Sequence, residues 1–174
     1  MSTRDTPPIC RREALRRLAL VSLGAAVVPS LAALEGCGDS GPRPIAYGRD
    51  ECAWCRMTVS DARYGAVQRN AQGKQQVFDS VECLAAATLA LDAGAQQRAG
   101  ERSWVTDSLH PGTLVPATVA RYLRSGGPGS PMGKGLRAFA SIADAERQQR
   151  LAGGVLMSWD DVLTVVGGES GARG

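Results

Sequence analysis

From Asp50 onward the hydrophobic positions fall in short runs separated by turn formers. Thr58-Val59 and Gly65 to Gln68 have strand character, and Asn70-Ala71-Gln72-Gly73 supplies a turn before a further run from Lys74 to Phe78. That pattern predicts a β-hairpin. Val81, Leu84, Ala85, Thr88 and Leu91 then recur at helical spacing behind a cap at Asp79 or Ser80, and Gly94 marks the stop. The first half therefore reads ββα. Trp104 to Asp107 predicts another strand, followed by a loop through His110-Pro111-Gly112. Pro116 suits the first position of a helix running to about Ser125 and ended by Gly126-Gly127. Leu136 to Ala140 predicts a strand, and Ser141 to Asp144 a capping box for a helix ending at Gly153-Gly154. Val155 to Trp159 is the last predicted strand, and Asp160-Asp161-Val162-Leu163 opens a closing helix.

Phe78-Asp79-Ser80 and Trp159-Asp160-Asp161 each pass from an aromatic residue through an acidic cap into a helix. The expected fold is α+β, two related ββα-type halves in one small unit, with an internal duplication that would bring Met132 towards Met57 and Cys55.

Ahead of this domain the pattern changes. An apolar run from Leu18 to Ala33 follows Arg11, Arg12, Arg16 and Arg17, which reads as an export signal. With Ser22, Pro29 and Ser30 inside it, the run is marginal against the roughly 20 apolar residues of a membrane span. Arg11-Arg12 resembles a twin-arginine signal, and Leu34-Glu35-Gly36-Cys37 resembles a bacterial lipobox whose cysteine is acylated and becomes the mature N-terminus. The expected organisation is a signal peptide with lipobox over 1–37, a polar tether over 38–48, a domain over 49–166 and a loose tail over 167–174. The protein would sit on the periplasmic side of a membrane, held by lipid on Cys37. Two units of the formal charge of +3 come from this leader, since from Gly38 onward 15 basic residues face 14 acidic ones. That balance, with few aromatics, excludes a nucleic-acid surface.

Export also changes the cysteine arithmetic. With Cys10 removed and Cys37 acylated, Cys52, Cys55 and Cys83 remain, an odd set in an oxidising compartment. Cys52-Ala53-Trp54-Cys55-Arg56-Met57 could serve as a redox dithiol, half a zinc site or a soft-metal thiolate pair. The thioether of Met57 favours Cu(I). Cys83, in the first turn of the predicted helix, either gains thiolate character from the helix N-terminus or packs beneath the hairpin. Met132 lies in Ser130-Pro131-Met132-Gly133-Lys134-Gly135, which lacks the spacing of a phosphate loop. His110, beside a proline, reads as a solvated loop residue, and Asp107 as a turn former.

Taken in order, Cys52 to Met57, Val77-Phe78-Asp79-Ser80-Val81-Glu82-Cys83-Leu84, Trp104 to Asp107, Pro131-Met132-Gly133 with Ala138-Phe139, and Gly153-Gly154-Val155-Leu156 resemble the NosL family of copper-chaperone lipoproteins for nitrous oxide reductase assembly. The family typically carries glycine at the position of Arg56. The resemblance implies a carrier and not an enzyme. It also implies Cu(I) held by Cys55 and Met57 foremost, then Cys52 and Met132, then Cys83, for delivery to nitrous oxide reductase or its assembly factors. Two rivals remain. One is a membrane-anchored thiol-disulfide oxidoreductase using Cys52 and Cys55, which lacks a thioredoxin-like context. The other is a structural zinc site from Cys52, Cys55, Cys83 and His110.

Overall fold

The computed structural model describes residues 41–126 and 129–171. The leader, the Arg11-Arg12 pair and the lipobox cysteine Cys37 lie outside the described residues. The elements are β1 (Ala66–Arg69), β2 (Gln75–Phe78), α1 (Val81–Leu89), α2 (Ala93–Glu101), β3 (Ser103–Thr106), β4 (Leu114–Pro116), β5 (Arg121–Arg124), β6 (Leu136–Phe139), α3 (Ile142–Ala152), β7 (Val155–Met157) and α4 (Trp159–Gly171). The fold is α+β. Strands β2-β1-β3-β4 form one antiparallel sheet and β6-β5-β7 a second. The parallel bridge between Asp107 and Ala138 joins them.

The predicted hairpin forms with Ala66 opposite Phe78 and Arg69 opposite Gln75. Its turn is an Asx turn: Asn70 Oδ1 accepts the backbone N–H groups of Gln72 and Lys74, and Gly73 takes φ +78°. Phe78, Val67, Val105 and Leu84 from the first half close one core with Tyr122, Leu136, Trp159 and Val162 from the second. Helices α1 and α4 pack on each other within it. Tyr122 and its neighbour Leu123 point to opposite sides of β5. The first enters this core, and the second enters a smaller one with Phe139 and Ala145 under α3. Among the described residues, those of the main core run from Ile45 to Val166.

The first half runs ββααβ and the second ββαβ, and in both the strand order is second, first, third: β2-β1-β3 and β6-β5-β7. The equivalence differs from the one the sequence suggests. Phe78 to Cys83 corresponds to Phe139 to Asp144, because each segment leaves its strand at phenylalanine and caps its helix with Ser80 or Ser141. The matching backbone N–H groups, of Cys83 and Asp144, both bond the capping serine. Trp159-Asp160-Asp161 belongs instead to α4, the closing helix after the repeat.

Other expectations are corrected locally. The helix expected from Pro116 to Ser125 is the edge strand β4, a turn closed by Ala120 N–H on Pro116 O, and strand β5. Proline is tolerated because β4 is outermost, and the β-favouring Tyr122-Leu123 pair is buried on both faces of β5, as helical periodicity would not allow. Helix α1 ends at Leu89, short of Gly94, and is followed by α2, for which no apolar periodicity gives warning. Only Ala99 and Gly100 of α2 are buried, and its start is fixed by Asp92, whose side chain accepts the Ala95 N–H at 2.9 Å. Thr58 makes only an isolated bridge to Glu51. Helix α4 runs through Gly167 and Gly168 to Gly171, past the point where the glycines predict a tail. The tether ends sooner than residue 48, since Arg43 pairs with Gln75 and Asp50 and Ile45 joins the core. A Cβ on Gly65 would sit 2.7 Å from Ile45 Cδ1, so a larger residue there would force the Ile45 and Tyr47 side chains to shift. Among the described residues no helix is long and apolar enough to cross a membrane.

Candidate metal centre

The chain leaves β2 at the buried Phe78, turns through Asp79 and caps α1 with Ser80, whose Oγ accepts the Cys83 N–H at 3.3 Å. This holds Cys83 in the first helical turn with its thiol pointing into the core. The 52–57 loop lies along the free edge of β2, where Ala53 N–H donates to Val77 O at 2.8 Å. Two bonds fold the loop on itself: Cys52 N–H to Met57 O at 2.8 Å and Arg56 N–H to Cys52 O at 3.1 Å. The turn puts Arg56 at φ +66°, the single left-handed non-glycine residue among those described. That conformation explains why glycine suits this position. The Arg56 guanidinium reaches an exposed ion pair with Glu51 at 3.3 Å.

The result is a cluster in which the sulfurs of Cys52, Cys55 and Cys83 all lie within 4.8 Å of one another. Thiolate–metal bonds of about 2.3 Å place the sulfurs of a three-coordinate site roughly 4 Å apart. A small inward movement would thus let all three close on one soft ion. Cys52 and Cys83 are fully buried and Cys55 is half-buried, so the opening lies on the Cys55 side.

The three thiols do not share charge equally. The Cys83 thiol donates to Cys52 and brings its pKa down to about 4, and backbone N–H groups of Cys55, Asp79 and Trp54 reinforce this against the cost of burial. Cys83 moves the other way, held protonated by the Cys52 anion it serves and by burial. Cys55 is raised by burial, against the Met57 N–H that favours its anion. Of the two readings of Cys83, thiolate at the helix N-terminus or packing beneath the hairpin, the structure places the residue in the buried core. The charge falls on Cys52, because Cys83 is the hydrogen-bond donor to that thiolate and burial further disfavours its own anion.

The methionines stand outside the buried cluster. Met57 follows the loop directly and is 58% exposed, with Trp54 46% exposed beside it in sequence. Met132, 39% exposed, sits on the 130–135 turn. Glu82 holds that turn: its Oε1 accepts from Ser130 Oγ and, at 3.4 Å, from Leu136 N–H. The residue preceding Cys83 thereby ties the Met132 turn to the cysteine-bearing helix. Sequence reasoning missed Glu82. The available signal was an acid inside Val81-Glu82-Cys83-Leu84-Ala85, where every neighbour is apolar or small. Asp79 Oδ1 and Glu82 Oε2 are buried without hydrogen-bond partners, and burial raises the Asp79 pKa. His110 is away from the cluster, with Nδ1 2.7 Å from Asp107 Oδ2. Asp107 also accepts the Leu109 N–H as a turn former.

The NosL family profile matches residues 45–166. No curated protein matches the chain. Among solved structures, the copper chaperone NosL from Shewanella denitrificans superposes with a TM-score of 0.55 at 22% identity, over 70% of this chain and 95% of that one. The likeness extends to the overall fold, and the profile covers the hairpin, the cysteine cluster, the Met132 turn and the second sheet. This protein belongs to the NosL family.

Proposed function

We propose that the chain is a Cu(I) carrier, exported, anchored by lipid on Cys37, and supplying copper to nitrous oxide reductase or its assembly factors. The observation that carries the reading is the three-sulfur cluster within 4.8 Å at the mouth of a loop that ends in an exposed methionine. Family membership and the name of the solved relative, a copper chaperone, support the choice of metal. Cu(I) is soft and accepts two or three sulfur ligands without a closed cage. Cys55 and Met57 lie at the accessible edge and are the ligands an incoming or departing ion meets first. Cys52 supplies negative charge from behind, Cys83 completes the thiol set, and Met132 is the further thioether on the turn tied to Glu82. Transfer proceeds by ligand exchange, the acceptor's sulfur or imidazole entering on the Cys55 side before the carrier's ligands leave.

A soluble form starting at Gly38, titrated anaerobically with Cu(I) against a chromophoric chelator, is expected to bind about one ion per chain, as for a single soft-ligand site. Affinity should fall in Cys55→Ser and in Met57→Leu. Unchanged affinity in both variants would overturn the ligand assignment. Co-purification of the reductase or its assembly proteins with the lipidated chain tests the acceptor.

A dithiol oxidoreductase is the reading that the low pKa of Cys52 would favour. An attacking thiolate must be accessible, however, and here the anionic sulfur is 0% exposed while the reachable Cys55 is held protonated. Disulfide exchange with a model substrate is therefore expected to be slow.

A further inference from the structure

In the β1–β2 hairpin Asn70 N–H donates to Lys74 O at 2.9 Å, so the alternation of an antiparallel pair turns the backbone groups of Gln76 towards β1 and those of Gln75 and Val77 away from it. Strand β2 is the outermost of its sheet. The 52–57 loop covers only one of these outward groups, through Ala53 N–H on Val77 O, and then departs. Among the described residues Gln75 N–H, Gln75 O and Val77 N–H have no partner. The Gln75 side chain is engaged instead, its amide bonding both Arg43 N–H and Arg43 O. A cavity of about 360 Å³ is lined by these edge residues together with Ala53 and Arg56 of the loop.

The charges around this groove are Arg43, Arg56 and Lys74 against Asp50 and Glu51. Arg43 pairs with Asp50 and Arg56 with Glu51, which leaves the exposed Lys74 ammonium without an acid among the described residues. Arg56 stands at φ +66°, a left-handed strain that its exposed Glu51 pair does little to offset. Strain held in an exposed loop points to a contact outside the chain. A free anion could use the two N–H groups but would be repelled by Gln75 O. An extended peptide presents an N–H to that oxygen and carbonyls to the donors, which is how a strand adds to a sheet edge. Ala53 and Arg56 directly follow Cys52 and Cys55, so a segment lying here is beside the sulfur cluster. We propose that the groove between β2 and the 52–57 loop docks an extended, acidic segment of the protein that receives the copper, added as a strand to β2 with its carboxylates towards Lys74 and Arg56. The inference rests on the carrier reading for the identity of the partner but not for the strand chemistry.

The probe is a dye-labelled peptide, Thr-Val-Glu-Val-Thr, titrated by fluorescence anisotropy against the full chain in detergent, beside the same peptide with lysine in place of glutamate. The acidic peptide is expected to bind the tighter, and Lys74→Glu should reverse the preference, each by roughly twofold to fivefold, the worth of one exposed ion pair. Methylating the peptide's backbone nitrogens should abolish binding, and the bound peptide should slow hydrogen exchange at the Gln75 and Val77 amides. Equal affinity for both peptides, or a methylated peptide that binds as well as its parent, would refute the groove as a strand site. So would a concentration-dependent dimer that excludes the peptide, which assigns the edge to a second copy of this chain. Cu(I) titration of Lys74→Glu should match the parent chain, since Lys74 is not among the copper ligands. A chain that binds the acidic peptide but no Cu(I) would overturn the carrier reading alone, and one that binds Cu(I) but neither peptide would overturn the docking groove alone.

Discussion

Cys52 and Cys83, whose sulfurs lie within 4.8 Å of each other, are driven to opposite protonation states: one thiol serves as the hydrogen-bond donor that makes the other an anion. The metal-free site is thus a charged acceptor before any ion arrives, and only the second and third ligands must release protons as copper binds.

In the metal-free protein one thiolate should persist down to about pH 4, visible as ultraviolet thiolate absorbance, and should be absent in Cys52→Ser. The sign for stability follows from the depressed folded pKa. The Cys52 contribution is complete above the unfolded thiol value and is lost as pH falls towards about 4. Cys83, raised when folded, contributes below the unfolded value and loses that contribution in alkali. Denaturant midpoints should rise from acid to neutral pH and fall again in strong alkali. In Cys52→Ser the acid-side rise should be smaller, leaving the part that comes from carboxylates with depressed pKa values such as Asp61.

Arg56→Gly should stabilise the fold by about 0.5–1 kcal/mol. Relief of left-handed strain, about 1–2 kcal/mol, is partly offset by the extra unfolded-state entropy of glycine. The exposed Glu51 pair that is lost counts for little. Urea unfolding measures the shift, and the copper stoichiometry should not change.

Glu82→Ala should cost about 2 kcal/mol, because Ser130 Oγ and Leu136 N–H lose a buried acceptor. It should also loosen the Met132 turn, seen as a sharpened Met132 methyl resonance and weaker Cu(I) binding. Glu82→Gln keeps an acceptor oxygen and should retain most of both properties.

Asp107 raises the pKa of the exposed His110 by hydrogen bond and charge. Its contribution is complete below the unfolded imidazole value and is lost as pH rises through the folded one. In Asp107→Asn the His110 titration, followed by NMR, should fall back to the ordinary range. Cu(I) or Zn(II) should leave the His110 resonances in place, whereas a zinc site that includes His110 would shift them.

Much of this architecture is legible in the amino-acid order where local chemistry decides. The Asn70–Gly73 turn, the Ser80 and Ser141 caps and the strand around Val105 are set by residues within a few positions of one another. The cysteines could be nominated one by one. Their convergence could not, because Cys52 and Cys83 meet only once the loop pairs along the edge of β2. The misread stretches are those where tertiary context overrides a local signal. Pro116 starts helices well but also suits an edge strand, and the Ala-Gly-Ala-Gln-Gln-Arg run of α2 carries no periodicity because the core covers so little of it. The charge on Cys52 depends on donors from three separate places in the chain, so no single motif announces it.

The shared serine caps divide labour across the molecule. Where the first unit has Cys83, its counterpart has Asp144, whose carboxylate accepts the Ser141 hydroxyl and forms an ion pair with Arg147. At this position the second unit therefore offers an ion pair where the first offers a thiol. Substitutions in Phe139 to Asp144 are expected to act on stability alone, and those in Phe78 to Cys83 on stability and metal binding together. A designer wishing to add a second ion to this scaffold has a ready backbone for it at Asp144, already shaped as a cysteine cradle but lacking the sulfur.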